Sequence, residues 1–291
     1  MELIPKPNIS IILPARNESE ALRKLLPRLR SGFPNAEIIV VDDGSTDMTQ
    51  QVCAEHEVRM IVHPYRIGNG AAIKSGARVA LGDILIFMDA DGQHKPEDIP
   101  RLLEKLEEGF DMVIGARANG SQANMHRAVV NRFYNRLASW MVGQKVADLT
   151  SGFRAVRADK FRRFLYLLPN GFSYPTTITM SFFRAGFLVA YVPIVANTRM
   201  NNKSHLRIFR DGIRFLLIIF RVGTLYSPLK IFFPTSLGFF ILGLSYYVYT
   251  FATVHRFTNM SALLFITSVL VFLMGLLSEQ ITMLNYKDTD K

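Results

Sequence analysis

Short apolar runs alternate with stretches of helical spacing through the first 114 residues. The pattern predicts strands at 9–13, 37–41, 59–63, 84–88 and 111–114, and helices at 20–29, 47–56, 71–80 and 96–107. Pro14 ends the first strand, Asp42-Asp43-Gly44 the second and Asp89-Ala90-Asp91-Gly92 the fourth. Ser45 or Thr46 is expected to cap the helix at 47–56. Strands alternating with helices imply an α/β fold with a mostly parallel, Rossmann-like sheet covered on both faces. Ligands of such sheets bind outside the carboxyl ends of the strands, where these acidic clusters fall.

The far end is patterned differently. No charged residue occurs from 231 to 254, and after His255 and Arg256 none occurs from 257 until Glu279. About 20 apolar residues suffice to cross the hydrocarbon core. The two stretches therefore read as a transmembrane helical hairpin, at about 231–254 and 257–278. Two buried core helices are the alternative reading, disfavoured because both stretches are apolar on every face. Residues 1–10 lack the pattern of a signal peptide. The expected organisation is a catalytic domain at 1–198, a basic juxtamembrane segment at 199–229, the hairpin at 230–284 and a tail at 285–291. The positive-inside rule places the catalytic domain and both termini in the cytoplasm, with the chain an integral membrane protein.

Charge sharpens this division. The chain has 34 Lys+Arg against 24 Asp+Glu, and a positive mean hydropathy, which excludes a disordered chain. Cys53 is the only cysteine, so no disulfide forms within the chain. Residues 117–163 hold ten basic side chains against Asp148 and Asp159. Residues 199–230 hold seven against Asp211. Basicity adjoining a membrane attracts anionic headgroups, or an anionic substrate held in the bilayer. Nucleic acid is not the expected partner, because the aromatic-interleaved and helix-turn-helix patterns are missing. Arg207, Arg210, Arg214 and Arg221 share one helix face, as in an interfacial amphipathic helix. A second candidate at 131–142 carries Arg132 and Arg136 among Phe133, Leu137, Trp140 and Met141, with core packing the equal alternative.

Asp89 and Asp91, two apart after the run Ile-Leu-Ile-Phe-Met, suit a hard divalent cation, with Gln93 able to add an amide oxygen. His94 reads as a surface or supporting residue. Asp42-Asp43-Gly44-Ser45 reads as turn chemistry, as nucleoside recognition through Asp43, or as both. The glycine-rich turn at 66–76 fits close backbone approach to a diphosphate, although it is neither a Walker A loop nor a dinucleotide fingerprint. Lys74 either reaches the nucleotide or lies on an exposed face.

In order along the chain stand "PARNE" at 14–18, "VDDGSTD" at 41–47, "NGAAIKSG" at 69–76, "MDADGQH" at 88–94, "GAR" at 115–117 and "DLTSGFR" at 148–154. Together they resemble the family 2 glycosyltransferases of GT-A fold, and more closely the polyprenyl-phosphate glycosyltransferases. The resemblance covers about residues 9–230. It implies a nucleotide-sugar donor, a polyprenyl phosphate acceptor, inversion at the anomeric carbon, and Mg²⁺ or Mn²⁺. By it, Asp89, Asp91 and Gln93 match the metal and diphosphate motif and Pro14, Ala15, Glu18 and Asp43 match nucleoside contacts, with Gly70 and Lys74, from the glycine-rich turn, as further nucleotide candidates. It places Arg117 by the acceptor phosphate, where Arg132, Lys203, His205 and Arg207 are further candidates, and Arg154 in the wall of the site. Relatives read Arg…Ser-Lys before the membrane helices. Here Arg199 is followed by "NNKSHLR", so which basic residue contacts phosphate stays open.

The expected function is transfer of a hexose, from a donor of the UDP-glucose or GDP-mannose type, to a membrane polyprenyl phosphate. The phosphate nucleophile is already anionic, so no dedicated base is needed. Asp148 then orients an arginine, or accepts a proton, with orientation preferred because an aspartate among arginines stays ionised. A processive polysaccharide synthase is the competing enzyme, but its Gln-x-x-Arg-Trp motif is absent. A catalytically silent, membrane-tethered nucleotide-binding scaffold is the competing non-enzyme. The sequence leaves homo-oligomerisation open.

Overall fold

The computed structural model describes residues 8–117, 125–171, 173–195 and 227–286. Lys203, His205, Arg207 and the juxtamembrane helix expected around them lie outside these residues. The chain divides into two compact units, Met1–Leu206 and Arg207–Lys291.

In the first unit, β1 (Ile9–Ala15), β2 (Glu37–Asp42), β3 (Arg59–Val62), β4 (Ile84–Phe87), β5 (Met112–Arg117), β6 (Arg154–Arg157) and β7 (Val189–Ile194) form one sheet, ordered 3-2-1-4-6-5-7. All neighbouring pairs are parallel except those of β6, which runs antiparallel between β4 and β5. Ile11, Val40 and Ile86, from three parallel strands, meet Leu22, Leu26 and Leu29 of α1 (Ser19–Gly32) in the core. These strands are apolar on both faces because helices cover both.

The expected helices appear as α1, α2 (Thr49–Glu55), α3 (Asn69–Val79) and α4 (Ile99–Glu107), the last preceded by a 3₁₀ turn at Pro96–Asp98. Then come α5 (Met125–Val142), α6 (Ala158–Arg162) and α7 (Tyr174–Arg184). The capping expectation is corrected. The residue before α2 is Met48, which makes no side-chain cap. Thr49 N–H instead donates to Asp47 Oδ1 at 3.0 Å, while Ser45 Oγ accepts from Asn17 N–H at 2.9 Å. On α5, Tyr134, Ala138 and Met141 are buried, so core packing holds for that face, while Arg132, Arg136 and Trp140 are exposed on the other.

The second unit is a pair of helices, α8 (Leu229–Val254) and α9 (Asn259–Tyr286). Both are long and apolar enough to cross a membrane, and only 11% and 17% of their most apolar windows are buried. A core helix would be mostly buried, so the core alternative fails. Ser236 and Ser268 each donate a hydroxyl to the other's carbonyl at 2.9 Å, tying the helices together. Glu279 does not end the second helix as expected. Its Oε2 accepts the Leu229 N–H at the start of α8, at 3.3 Å. An acid satisfying a helix N-terminus is stabilised there rather than expelled.

Candidate active site

A cleft of about 420 Å³ opens at the carboxyl ends of β1, β2 and β4, a volume suited to a small molecule. It sits between β1 and β4, where the chain switches from building one side of the sheet to the other. Pro14 helps to open it. β1 pairs with β4 only as far as Ile12 opposite Phe87, and with β2 as far as Ala15 opposite Asp42. Ile12 bonds toward β4, so the missing N–H of Pro14 falls on that same side, where β4 has already ended. The strand expected to stop at Pro14 therefore continues, and Pro14, Ala15 and Glu18 line the cleft.

Asp89, Ala90 and Asp91 line the opposite wall. Asp89 is one-third exposed, and Gln93 N–H donates to Asp91 Oδ1 at 3.1 Å. Gln93 itself is not among the lining residues; its observed role is this backbone tie. Gly152, also lining, leaves room for Asp89, since a Cβ there would stand 3.0 Å from Oδ2. No cluster of three or more His, Cys, Asp or Glu suited to a metal occurs among the described residues. Two accessible carboxylates without a third ligand fit Mg²⁺ or Mn²⁺, which take their remaining oxygens from water and substrate phosphate. His94 is buried rather than on the surface. Its ring stacks on Phe153 with centroids 5.0 Å apart, and burial lowers its pKa to about 4.

Arg117, at the end of β5, is held by Asp148. Its Nε and one terminal nitrogen donate to the two carboxylate oxygens at 2.9 and 3.2 Å, and that nitrogen also reaches Thr150 Oγ1 at 2.6 Å. Asp148 further accepts the N–H groups of Thr150 and Ser151. Burial raises its carboxyl, but the bonds and charge of Arg117 more than reverse this and hold it below the ordinary range. Asp148 orients the arginine; it is not a free base. Arg117 is not itself among the cleft-lining residues and meets the cleft through Thr150, which is.

Arg154 is fully buried. It donates to the carbonyls of Ser151 and Pro175 and to Thr179 Oγ1, and its Nε has no hydrogen-bond partner. It thus lies behind the cleft wall, bracing the 148–152 turn against α7. Arg132 is exposed on α5 and does not line the cleft.

Of the two adjacent aspartates, Asp42 is committed to the turn, accepting Ser45 N–H and Gln50 Nε2. Asp43 faces the cleft. Its Oδ1 accepts from Ile67 N–H and pairs with His63 Nδ1, and its Oδ2 accepts Gly68 N–H. One acceptor position is left on Oδ2. Burial raises this carboxyl too, but the bonds from His63, Ile67 and Gly68 bring it below the ordinary range.

The glycine-rich turn has a different cause from the one expected. A Cβ on Gly68 would strike Asn170 O, and one on Gly70 would strike Pro169 O. Ala71 N–H, at the start of α3, donates to Asn170 O at 3.1 Å. The turn is thin so that the chain at 169–171 can lie on it, and a carbonyl, not a diphosphate, takes that N–H. Lys74 belongs to the same contact, donating to Leu168 O and Asn170 Oδ1, and does not line the cleft. The sequence reading missed Arg16, Arg66, Thr150 and Gly152, all of which do. Arg16, Thr150 and Gly152 stood within quoted motifs and Arg66 opens the glycine-rich turn at 66–76, but nothing local singled out these positions within them.

Residues 10–165 match glycosyl transferase family 2, and residues 227–284 match the GtrB C-terminal hairpin. The undecaprenyl-phosphate mannosyltransferase of Micrococcus luteus is 33% identical over 203 residues, 63% of this chain and 81% of that protein. Glycosyltransferase AglJ of Haloferax volcanii is 29% identical over 97% of this chain and 96% of its own. Among solved structures, glucosyl-3-phosphoglycerate synthase from Mycobacterium tuberculosis, in complex with Mn²⁺, uridine diphosphate and glucosyl-3-phosphoglycerate, superposes with a TM-score of 0.60. It is 23% identical and covers 75% of this chain and 79% of that one, a likeness of fold. The same enzyme has also been solved with Mg²⁺ and uridine diphosphate. Matched by the first of these families over more than half its length, the chain belongs to glycosyl transferase family 2 and is a glycosyltransferase.

Proposed function

We propose that the protein transfers a hexose from a nucleotide-sugar donor, of the UDP-glucose or GDP-mannose type, to a polyprenyl phosphate in the membrane, with inversion at the anomeric carbon. The observation that carries this reading is one wall shared by two charges. Thr150 and Gly152 lie on a single turn; the first holds the Asp148-bound Arg117 and the second abuts Asp89. A site built this way brings two anionic substrates together. The Micrococcus luteus relative is named for an undecaprenyl-phosphate acceptor, and the hairpin supplies the membrane.

Asp89 and Asp91 hold the divalent cation, and Asp43 and the end of β1 hold the nucleoside. When bound, the cation stabilises charge developing on the departing diphosphate. Arg117, locked by Asp148, places the acceptor phosphate by charge-assisted hydrogen bonds. A phosphate oxygen attacks the anomeric carbon as its bond to the donor diphosphate breaks on the opposite face. The oxygen arrives anionic, so no side chain need remove a proton. Catalytic domain and termini face the cytoplasm, where nucleotide sugars are available.

Membranes carrying the protein, incubated with individual labelled nucleotide sugars and a polyprenyl phosphate and then extracted with organic solvent, test this. Label in an acid-labile lipid, dependent on Mg²⁺ or Mn²⁺, is the expected result. Label in polymer, or in no product with any donor, rejects it.

A further inference from the structure

His63 lies at the end of β3, buried, with its backbone N–H on Asp42 O. Both ring nitrogens are engaged: Nδ1 with Asp43 Oδ1 and Nε2 with Ser75 Oγ, each at 2.9 Å. Ser75 belongs to α3, so the ring links that helix to the end of β2. Asp43 passes the constraint on through its bonds to Ile67 and Gly68 N–H. Gly44, at φ +70°, completes the support. A Cβ there would lie 2.9 Å from Arg66 N, so the loop rests directly on its backbone. The side chains at 64–67 are exposed. The loop is therefore gripped by its backbone rather than by apolar side chains, and the grip runs through Asp43. Arg66 projects from this loop and lines the cleft. A neutral-sugar donor offers a guanidinium one anionic group, its diphosphate.

We propose that His63 is a positioning residue for the donor: anchored on Ser75, it fixes Asp43, which fixes the 66–68 backbone and so holds Arg66 against the nucleoside diphosphate. This rests on the donor reading above and adds the Ser75–His63–Asp43–Arg66 chain to it. His63 touches no substrate; it acts through Arg66.

Calorimetric titration of the full-length protein in detergent with UDP and with GDP, each in MnCl₂, separates the two readings. If wild type binds neither, the donor reading itself falls and this one with it. If wild type binds either, R66M and H63L should each weaken that binding about tenfold, the loss of one charge-assisted hydrogen bond. The double variant H63L/R66M should be no weaker than either single one, because both break the same chain. H63N, which can still donate to Asp43, should stay within about threefold of wild type, and S75A should fall between. Melting temperatures read alongside identify a variant that has merely failed to fold, in which case S75A and H63N decide. Wild-type affinity in H63L, losses that multiply in the double variant, or H63N and S75A both indistinguishable from wild type while H63L is unfolded would each overturn the proposal.

Discussion

Gly152 leaves just enough room for Asp89: a single added carbon on the glycine would stand 3.0 Å from the Oδ2 of the aspartate. The turn after Asp148 therefore sets the space in which one carboxylate of the proposed cation pair can move. Gly152→Ala should displace that carboxylate by a few tenths of an ångström. Catalytic efficiency should fall about tenfold and the Mn²⁺ requirement should rise. A Mn²⁺ titration of activity that superposes on wild type would show that Asp89 does not hold the cation.

Arg117 and Asp148 form the second relationship. Arg117→Ala should raise the KM for polyprenyl phosphate by about tenfold or more while the KM for the donor changes little. Asp148→Asn should act in the same direction and more weakly, since the amide keeps one acceptor oxygen for the guanidinium. Steady-state kinetics with each substrate varied in turn check this; a donor KM that rises equally would place Arg117 elsewhere in the reaction.

Asp148 also makes stability depend on pH. Its folded pKa is depressed below 3.8. The stabilisation is therefore fully present above the unfolded value and disappears as pH falls through the folded one. Asp148→Asn should melt below wild type at neutral pH, and the gap should close as the buffer is taken progressively below 3.8. A gap of equal size at both ends of that range would mean that the ion pair with Arg117 contributes nothing.

Arg154 is a fully buried guanidinium whose donors serve the carbonyls of Ser151 and Pro175. Arg154→Met should strip the Ser151 carbonyl of its donor, while Pro175 O keeps the Thr179 hydroxyl, and should cost about 1–3 kcal/mol. Lysine should not restore this, because a point charge cannot reproduce the planar fork. Thermal melting of both variants reads the loss. Full stability in Arg154→Lys would show that charge alone is required there.

The alternating pattern from Ile9 to Ile114 was legible because fully buried parallel strands read as unbroken apolar runs, as in Ile84–Phe87. β6 was not legible. Its sequence, Arg-Ala-Val-Arg, is charged at both ends, and nothing local announces that it inserts antiparallel between β4 and β5. Asp89 and Asp91 were legible because their turn follows a strand end, and Asp148 because it opens the "DLTSGFR" stretch. Arg66 was not, because its place depends on Asp43 reaching 24 and 25 residues along the chain to the N–H groups of Ile67 and Gly68. The glycines at 68 and 70 were visible but misattributed: small residues mark close approach, and only the fold reveals that the approaching group is the backbone at 169–171. Glu279 misled for a related reason. It looked like the edge of the membrane span, yet it pairs with a helix start 50 residues away.

The claim on which the account turns is that Asp89 and Asp91 hold a divalent cation against the departing diphosphate. Single-turnover transfer of labelled hexose to polyprenyl phosphate, at saturating Mn²⁺ and donor, by wild type and Asp91→Ala protein measures it directly. Loss of that stabilisation predicts a rate lower by about 10²-fold or more, with wild-type melting behaviour. A variant rate within a few-fold of wild type would contradict the cation site and the mechanism built on it.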